Sequence, residues 1–213
     1  KRDWSSDVCS SDLSTKSKIN ESLIVEGKYD GITRAIVRDI VQFYKYQREG
    51  EFSLPEMVSG DEQYDFPNFN QNFSVELDLR IDDSVDTIDV DAEYLVDDDI
   101  IRVIITTNSE LRYQPEILQE LIQELNEVVR HELEHVKQFS LGKEYKIEPK
   151  SHEKYYSQPD ELAAQRAGFK RRSKQEKKPM EYLVRKWFEK NKHKYKMTPE
   201  QVERVIQRIL NLK

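Results

Sequence analysis

Apolar residues along this chain change period twice, and each change marks a different kind of element. Ile32, Ala35, Ile36, Ile40, Val41, Phe43 and Tyr44 recur at three- and four-residue steps, which predicts a packing helix from an N-cap at Asp30 to about Arg48. After Gly50 the period drops to two. Phe73, Val75, Leu77, Leu79 and Ile81 alternate with polar residues, as do Ile88, Val90, Ala92 and Tyr94, and Ile100–Thr107 is a more uniformly apolar strand. Asp82-Asp83-Ser84 and Asp97-Asp98-Asp99 read as turns. The pattern predicts a meander of three or four mostly antiparallel strands with one buried face and one wet, acidic face. Leu54–Asn72 reads as loop, with a short strand near Glu51–Leu54.

Helical spacing returns over Pro115–Phe139, where Leu118, Leu121, Leu125, Val128 or Val129, Glu132, His135 or Val136, and Phe139 recur at three- and four-residue steps, so the side bearing the histidines is expected to continue the apolar stripe. Pro159 and Pro179 each suit the first turn of a further helix. Thr198-Pro199-Glu200-Gln201 has the form of a capping box in front of Val202, Val205, Ile206, Ile209 and Leu210. The expected class is therefore α+β, with an N-terminal helix, a small sheet, one long central helix and three helical segments after it.

The long helix carries His131-Glu132-Leu133-Glu134-His135. Two histidines four residues apart lie one above the other on a helix, so both imidazoles can reach one metal ion. Glu132 projects beside that ion, where a carboxylate can take a proton from water. The chain's single cysteine is Cys9, so a disulfide framework and a thiolate metal site are excluded. A third ligand must then be imidazole or carboxylate. Pro159-Asp160-Glu161-Leu162-Ala163-Ala164 is the best downstream stretch, because Pro159 at the first helical position sets Glu161 in the first turn and the alanines permit close packing. Glu161 is the first choice, with Asp160 and His152 as alternatives. An acidic pair after Pro159 also suits a helix N-terminus without any metal. Tyr156 or Tyr155 is a candidate hydrogen-bond donor to an oxyanion, and Tyr156 is the one assigned a catalytic role. Gln138 and Glu134 are candidates to support the ligands from behind. His193 and His152 lie in polar surroundings.

The His-Glu-x-x-His helix resembles that of the zincin metallopeptidases. Gln138 and Leu141 stand where the metzincin subgroup needs Gly and His, so the resemblance is to the gluzincin type, whose third ligand is a Glu followed by Ala on a later helix. It implies a zincin-like fold, Zn2+ held by His131, His135 and Glu161, and endopeptidase chemistry with Glu132 as general base. It also implies a substrate strand beside the active-site helix, expected at Ile100–Thr107, whose unpaired edge would take an extended peptide. Glu26-Gly27-Lys28-Tyr29-Asp30 resembles the start of several tailed-phage proteins.

Charge refines the picture. The net charge is -7. Residues 51–134 carry 23 acidic and 4 basic side chains, whereas 135–213 carry 10 acidic and 21 basic. The run Lys170–Lys178 could lie on nucleic-acid phosphates or on the protein's own acidic half. Asp97-Asp98-Asp99 lacks the spacing of a calcium loop. No apolar run reaches the roughly 18 residues of a membrane span, so no membrane partner and a cytoplasmic location are expected. Residues 2–13 resemble a translated sequencing adapter. The chain accordingly divides into an artefactual or disordered segment at 1–18, a zincin-like metallopeptidase domain at 19–172 and a basic helical extension at 173–213. Two other readings stay open. One is a catalytically silent, phage-related structural or regulatory protein on the same fold, and the other is a protease that works on nucleic acid.

Overall fold

The computed structural model describes residues 29–45, 50–53, 64–65, 72–142, 151–192 and 194–212. The adapter-like stretch, the phage-like lead-in before Tyr29, most of the expected 54–72 loop and His193 lie outside them. The first helix, α1, spans residues 29–45. Strands β1 (Gly50–Ser53), β2 (Tyr64–Asp65), β3 (Asn72–Ile81), β4 (Asp89–Leu95) and β5 (Ile100–Thr107) follow. Helices α2 (Pro115–Ser140), α3 (His152–Tyr155), α4 (Pro159–Glu176), α5 (Met180–Lys190) and α6 (Pro199–Asn211) complete an α+β architecture. Asp30, expected as the N-cap of α1, lies within the helix and faces Arg171 and Lys174 at 3.6 Å each.

The sheet is mixed, with order β1-β3-β5-β4 and β2 also paired to β3. A meander would have placed β4 beside β3. Instead β3 and β5 are parallel neighbours, and β4 runs antiparallel along the far side of β5. The cause is composition. β5 presents Ile101, Val103 and Ile105 to the core and half-buries Ile100 and Ile104 on its other face, which suits a central strand, whereas β4 carries Asp89, Asp91 and Glu93 and suits an edge. The free edge beside the long helix therefore belongs to β4 among the described residues. The expectation that Ile100–Thr107 would supply it is overturned, because β5 is hydrogen-bonded on both sides.

Two cores hold the fold. In the first, Phe73, Val75, Leu77 and Leu79 of β3 and the inward residues of β5 pack against Ile36, Ile40 and Tyr44 of α1 and Leu121, Leu125, Val129 and Leu133 of α2. In the second, Leu162 and Phe169 of α4 pack with Leu183, Val184 and Phe188 of α5 and Val205, Ile206 and Ile209 of α6. The division expected at 172/173 thus falls inside α4, whose apolar side belongs to the second core while its opposite side packs on α2. The capping box of α6 forms in full: the Thr198 N–H donates to Gln201 Oε1 at 2.7 Å, and the Gln201 N–H donates to Thr198 Oγ1 at 3.4 Å. Among the described residues, no helix is long and apolar enough to cross a membrane.

Candidate metal centre

Helix α2 is buried on two sides with different chemistry. Its apolar stripe, Leu121, Leu125, Val129, Leu133 and Val136, faces the sheet, and the side turned to α4 holds Glu124, Glu127, His135 and Gln138 in buried positions. Such a close approach of two helices needs a residue without a side chain. Gly168 supplies it: a Cβ at that position would sit 2.7 Å from the Glu127 carbonyl oxygen. One turn from Gly168 lies Gln165, and another turn back lies Glu161, so the same helical side brings the Glu161 carboxylate under the two histidines.

The three groups converge. His131 Nε2 and His135 Nε2 are 3.1 Å apart, and the Glu161 carboxylate oxygens lie 3.6 Å from the first and 3.4 Å from the second. One donor atom from each residue falls within 4.8 Å of the others. A tetrahedral ion with bonds of about 2.0–2.1 Å separates its ligand atoms by about 3.3 Å, so the donor set fits one small divalent cation. The polar surroundings point the same way. The Gln138 amide donates to the Asp160 carbonyl at 3.0 Å, which turns its side-chain oxygen toward His135 Nδ1 at 3.3 Å. His135 Nδ1–H then donates to the Gln138 oxygen, and the ring is set with Nε2 facing His131 and Glu161. Gln165 donates to Glu161 at 3.0 Å and holds that carboxylate in place.

Electrostatics follow from burial. Desolvation would raise the Glu161 carboxyl, but the adjacent imidazoles of His131 and His135 and the Gln165 amide hold it down to about 2. Burial pushes the His131 imidazole down to about 4, a neutral ring ready to ligate. Desolvation also lowers His135, yet its bond to Glu161 and the charges of Glu132 and Glu161 raise it overall. Glu132 lies beside the trio, 3.8 Å from His131 Nε2, and burial pushes its carboxyl up to about 8.

Of the three candidates for the third position, Glu161 is the one that joins the two histidines among the described residues. His152 is exposed on α3, and Asp160 is half-buried with its backbone carbonyl bound by Gln138. Neither shares the cluster. Glu134 faces away, bonded to Arg130 at 3.1 Å and Lys137 at 2.7 Å. Compared with protein-family models, curated proteins and solved structures, the chain matches none.

In front of the trio lies a cavity of about 140 Å³ lined by Asp91 and Ala92 of β4, Glu132, Tyr155, Tyr156 and Trp187, among others. Tyr156 reaches it, but its ring is held edge-on against Trp187, Phe188 and Tyr195. Tyr155 is 42% exposed at the mouth of the site. Burial of its phenol, the charges of Glu161 and Glu132 and a hydrogen bond to Glu161 raise its pKa, and burial with the Glu161 charge raises Tyr156 to about 12. Both phenols stay protonated. Gln165, Gly168, Asp91 and Trp187 were not singled out by sequence reasoning. Only Gly168, a glycine in mid-helix, carried a local signal.

The basic run is largely engaged inside the protein. Arg172 is buried and bonds Glu127 at 2.6 Å and Glu176 at 2.5 Å, Arg171 binds Asn126 at 3.0 Å, and Lys178 bonds Glu176 at 2.8 Å.

Proposed function

We propose that this protein is a zinc-dependent peptidase of the zincin type. The observation that carries the reading is the convergence of His131, His135 and Glu161 from two helices, with the Glu132 carboxyl beside them and a cavity in front. His131, His135 and Glu161 would hold the ion, which when bound supplies Lewis acidity toward a carbonyl and toward water. Glu132, raised by burial, takes the proton from the attacking water and returns it to the leaving amine. Its elevated basicity suits that exchange near neutral pH. Gln138 fixes the His135 ring, and Gln165 fixes the Glu161 carboxylate. The free edge of β4 receives the substrate as an added strand, which replaces β5 in that role. Tyr155, which lines the cavity and is open to the cleft, is the oxyanion donor in this reading rather than Tyr156, whose ring packs on the second core.

The test is Glu132→Gln in the zinc-loaded full chain. Hydrolysis of a mixed peptide library is expected to be lost while elemental analysis still finds one metal per chain. Undiminished cleavage by that variant would exclude the mechanism. Nucleic-acid contact through Lys170–Lys178 draws little support, since Arg171, Arg172, Lys174 and Lys178 face partners within the fold.

A further inference from the structure

The cavity before the three donors has a chemical bias that the peptidase reading leaves unused. The residues that line it include Asp91, Glu127, Glu132, Glu161, Tyr155, Tyr156 and Trp187 and, among the described residues, no Lys or Arg. Three of the four acids have a role already. Glu161 faces the histidines, Glu132 stands beside them, and Glu127 is answered by Arg172 at 2.6 Å.

Asp91 differs. It is exposed on the free-edge strand, its Oδ1 accepts only the N–H of the adjacent Ala92, at 3.0 Å, and it has no cationic partner among the described residues. The acids that flank it on the same face of β4 are both matched, Asp89 by Lys194 at 2.8 Å and Glu93 by Arg102 at 3.5 Å. A peptide that adds to β4 alternates its side chains between the two faces, so the residue registered opposite Asp91 points to the Asp91 side. A long basic side chain at that register brings its charge to the open carboxylate.

We infer that Asp91 is a specificity-determining residue, selecting substrates with Lys or Arg at the position that pairs beside it near the scissile bond; this rests on the peptidase reading of the cleft. A neutral side chain there loses the ion pair, and an acidic one is repelled by the open Asp91 carboxylate. Basic segments of proteins are thus the substrate class.

The experiment compares matched peptide series that differ only in Lys, Gln or Glu around the scissile bond. Zinc-loaded wild type is expected to show kcat/KM ratios favouring Lys over Gln by roughly five- to tenfold and Gln over Glu by a similar factor, falling with added salt. Asp91→Asn should collapse the Lys-to-Gln ratio toward one, and Asp91→Lys should invert it. Calorimetric binding of the same peptides to Glu132→Gln, with and without Asp91→Asn, reads the preference without turnover. Equal handling of the Lys and Gln peptides by wild type, or a Lys preference that survives Asp91→Asn, overturns the inference while the peptidase reading stands. Asp91-dependent binding of Lys peptides with no cleavage by wild type supports the selective groove and overturns the hydrolytic reading instead.

Discussion

Gln138 ties His135 to the first turn of the neighbouring helix: its side-chain oxygen sits 3.3 Å from His135 Nδ1 while its amide donates to the Asp160 carbonyl at 3.0 Å. One side chain therefore sets the tautomer of an imidazole and the position of the turn that bears Glu161. Gln138→Leu, similar in volume but without either bond, is expected to weaken metal binding by about 10–100-fold. Competition against a chromogenic chelator measures it. An unchanged affinity would mean that His135 needs no orientation from Gln138.

The Gly168 contact with Glu127 makes a second prediction. Gly168→Ala places a methyl group 2.7 Å from a backbone carbonyl, so α2 and α4 must separate. The cost is expected to be about 1–3 kcal/mol, seen as a lower midpoint in chemical denaturation together with weaker metal binding. Gly31→Ala, where nothing lies within 4 Å, is the control and should leave the midpoint the same or slightly higher. Equal behaviour of the two variants would contradict the close packing of α2 on α4.

Metal removal should leave the fold in place, since the two hydrophobic cores are built from apolar side chains and include none of the three donor residues. Adding zinc to chelator-treated protein is expected to stabilise it by about 4 kcal/mol at a thousandfold excess over Kd. His131→Ala and Glu161→Ala should each lose most of that shift in a thermal melt. If no divalent ion moves the melting temperature of the wild type, the donor set does not bind a metal in solution.

Acid should loosen the C-terminal helices. Hydrogen bonds from Arg185 and Gln207 hold the Glu203 carboxyl at about 2, and a bond from Arg204 holds Glu153 below the usual carboxylate range. A carboxyl depressed in the folded chain contributes stability that is complete above its unfolded pKa and disappears as pH falls through the folded value. The loss is therefore expected below about pH 4.3 in metal-free protein. These pairs are exposed and each contributes little, so the joint variant Arg185→Met, Arg204→Met is the informative one. It should flatten the acid dependence of the melting temperature between pH 5 and 3, and added salt should flatten the wild type in the same direction.

Much of this protein was legible from residue order alone, because helical and strand periods, proline positions and caps act over a few residues. The α2 and α4 helices, the capping box at Thr198 and the His131–His135 pair are local features of that kind. Even Glu161 could be named, because Pro159 fixes where its helix begins. Strand order was different. Alternation reveals which face of β4 and β5 is buried but not which strand lies beside which, and the parallel pairing of β3 with β5 depends on packing between segments about 25 residues apart. For the same reason the free edge next to the candidate metal centre, the packing of Tyr156 on the second core with Tyr155 at the cavity mouth, and the open carboxylate of Asp91 emerged only with the tertiary structure. A side chain's neighbours across a cleft are set by how helices and sheet stack, and single-residue spacing carries no record of that.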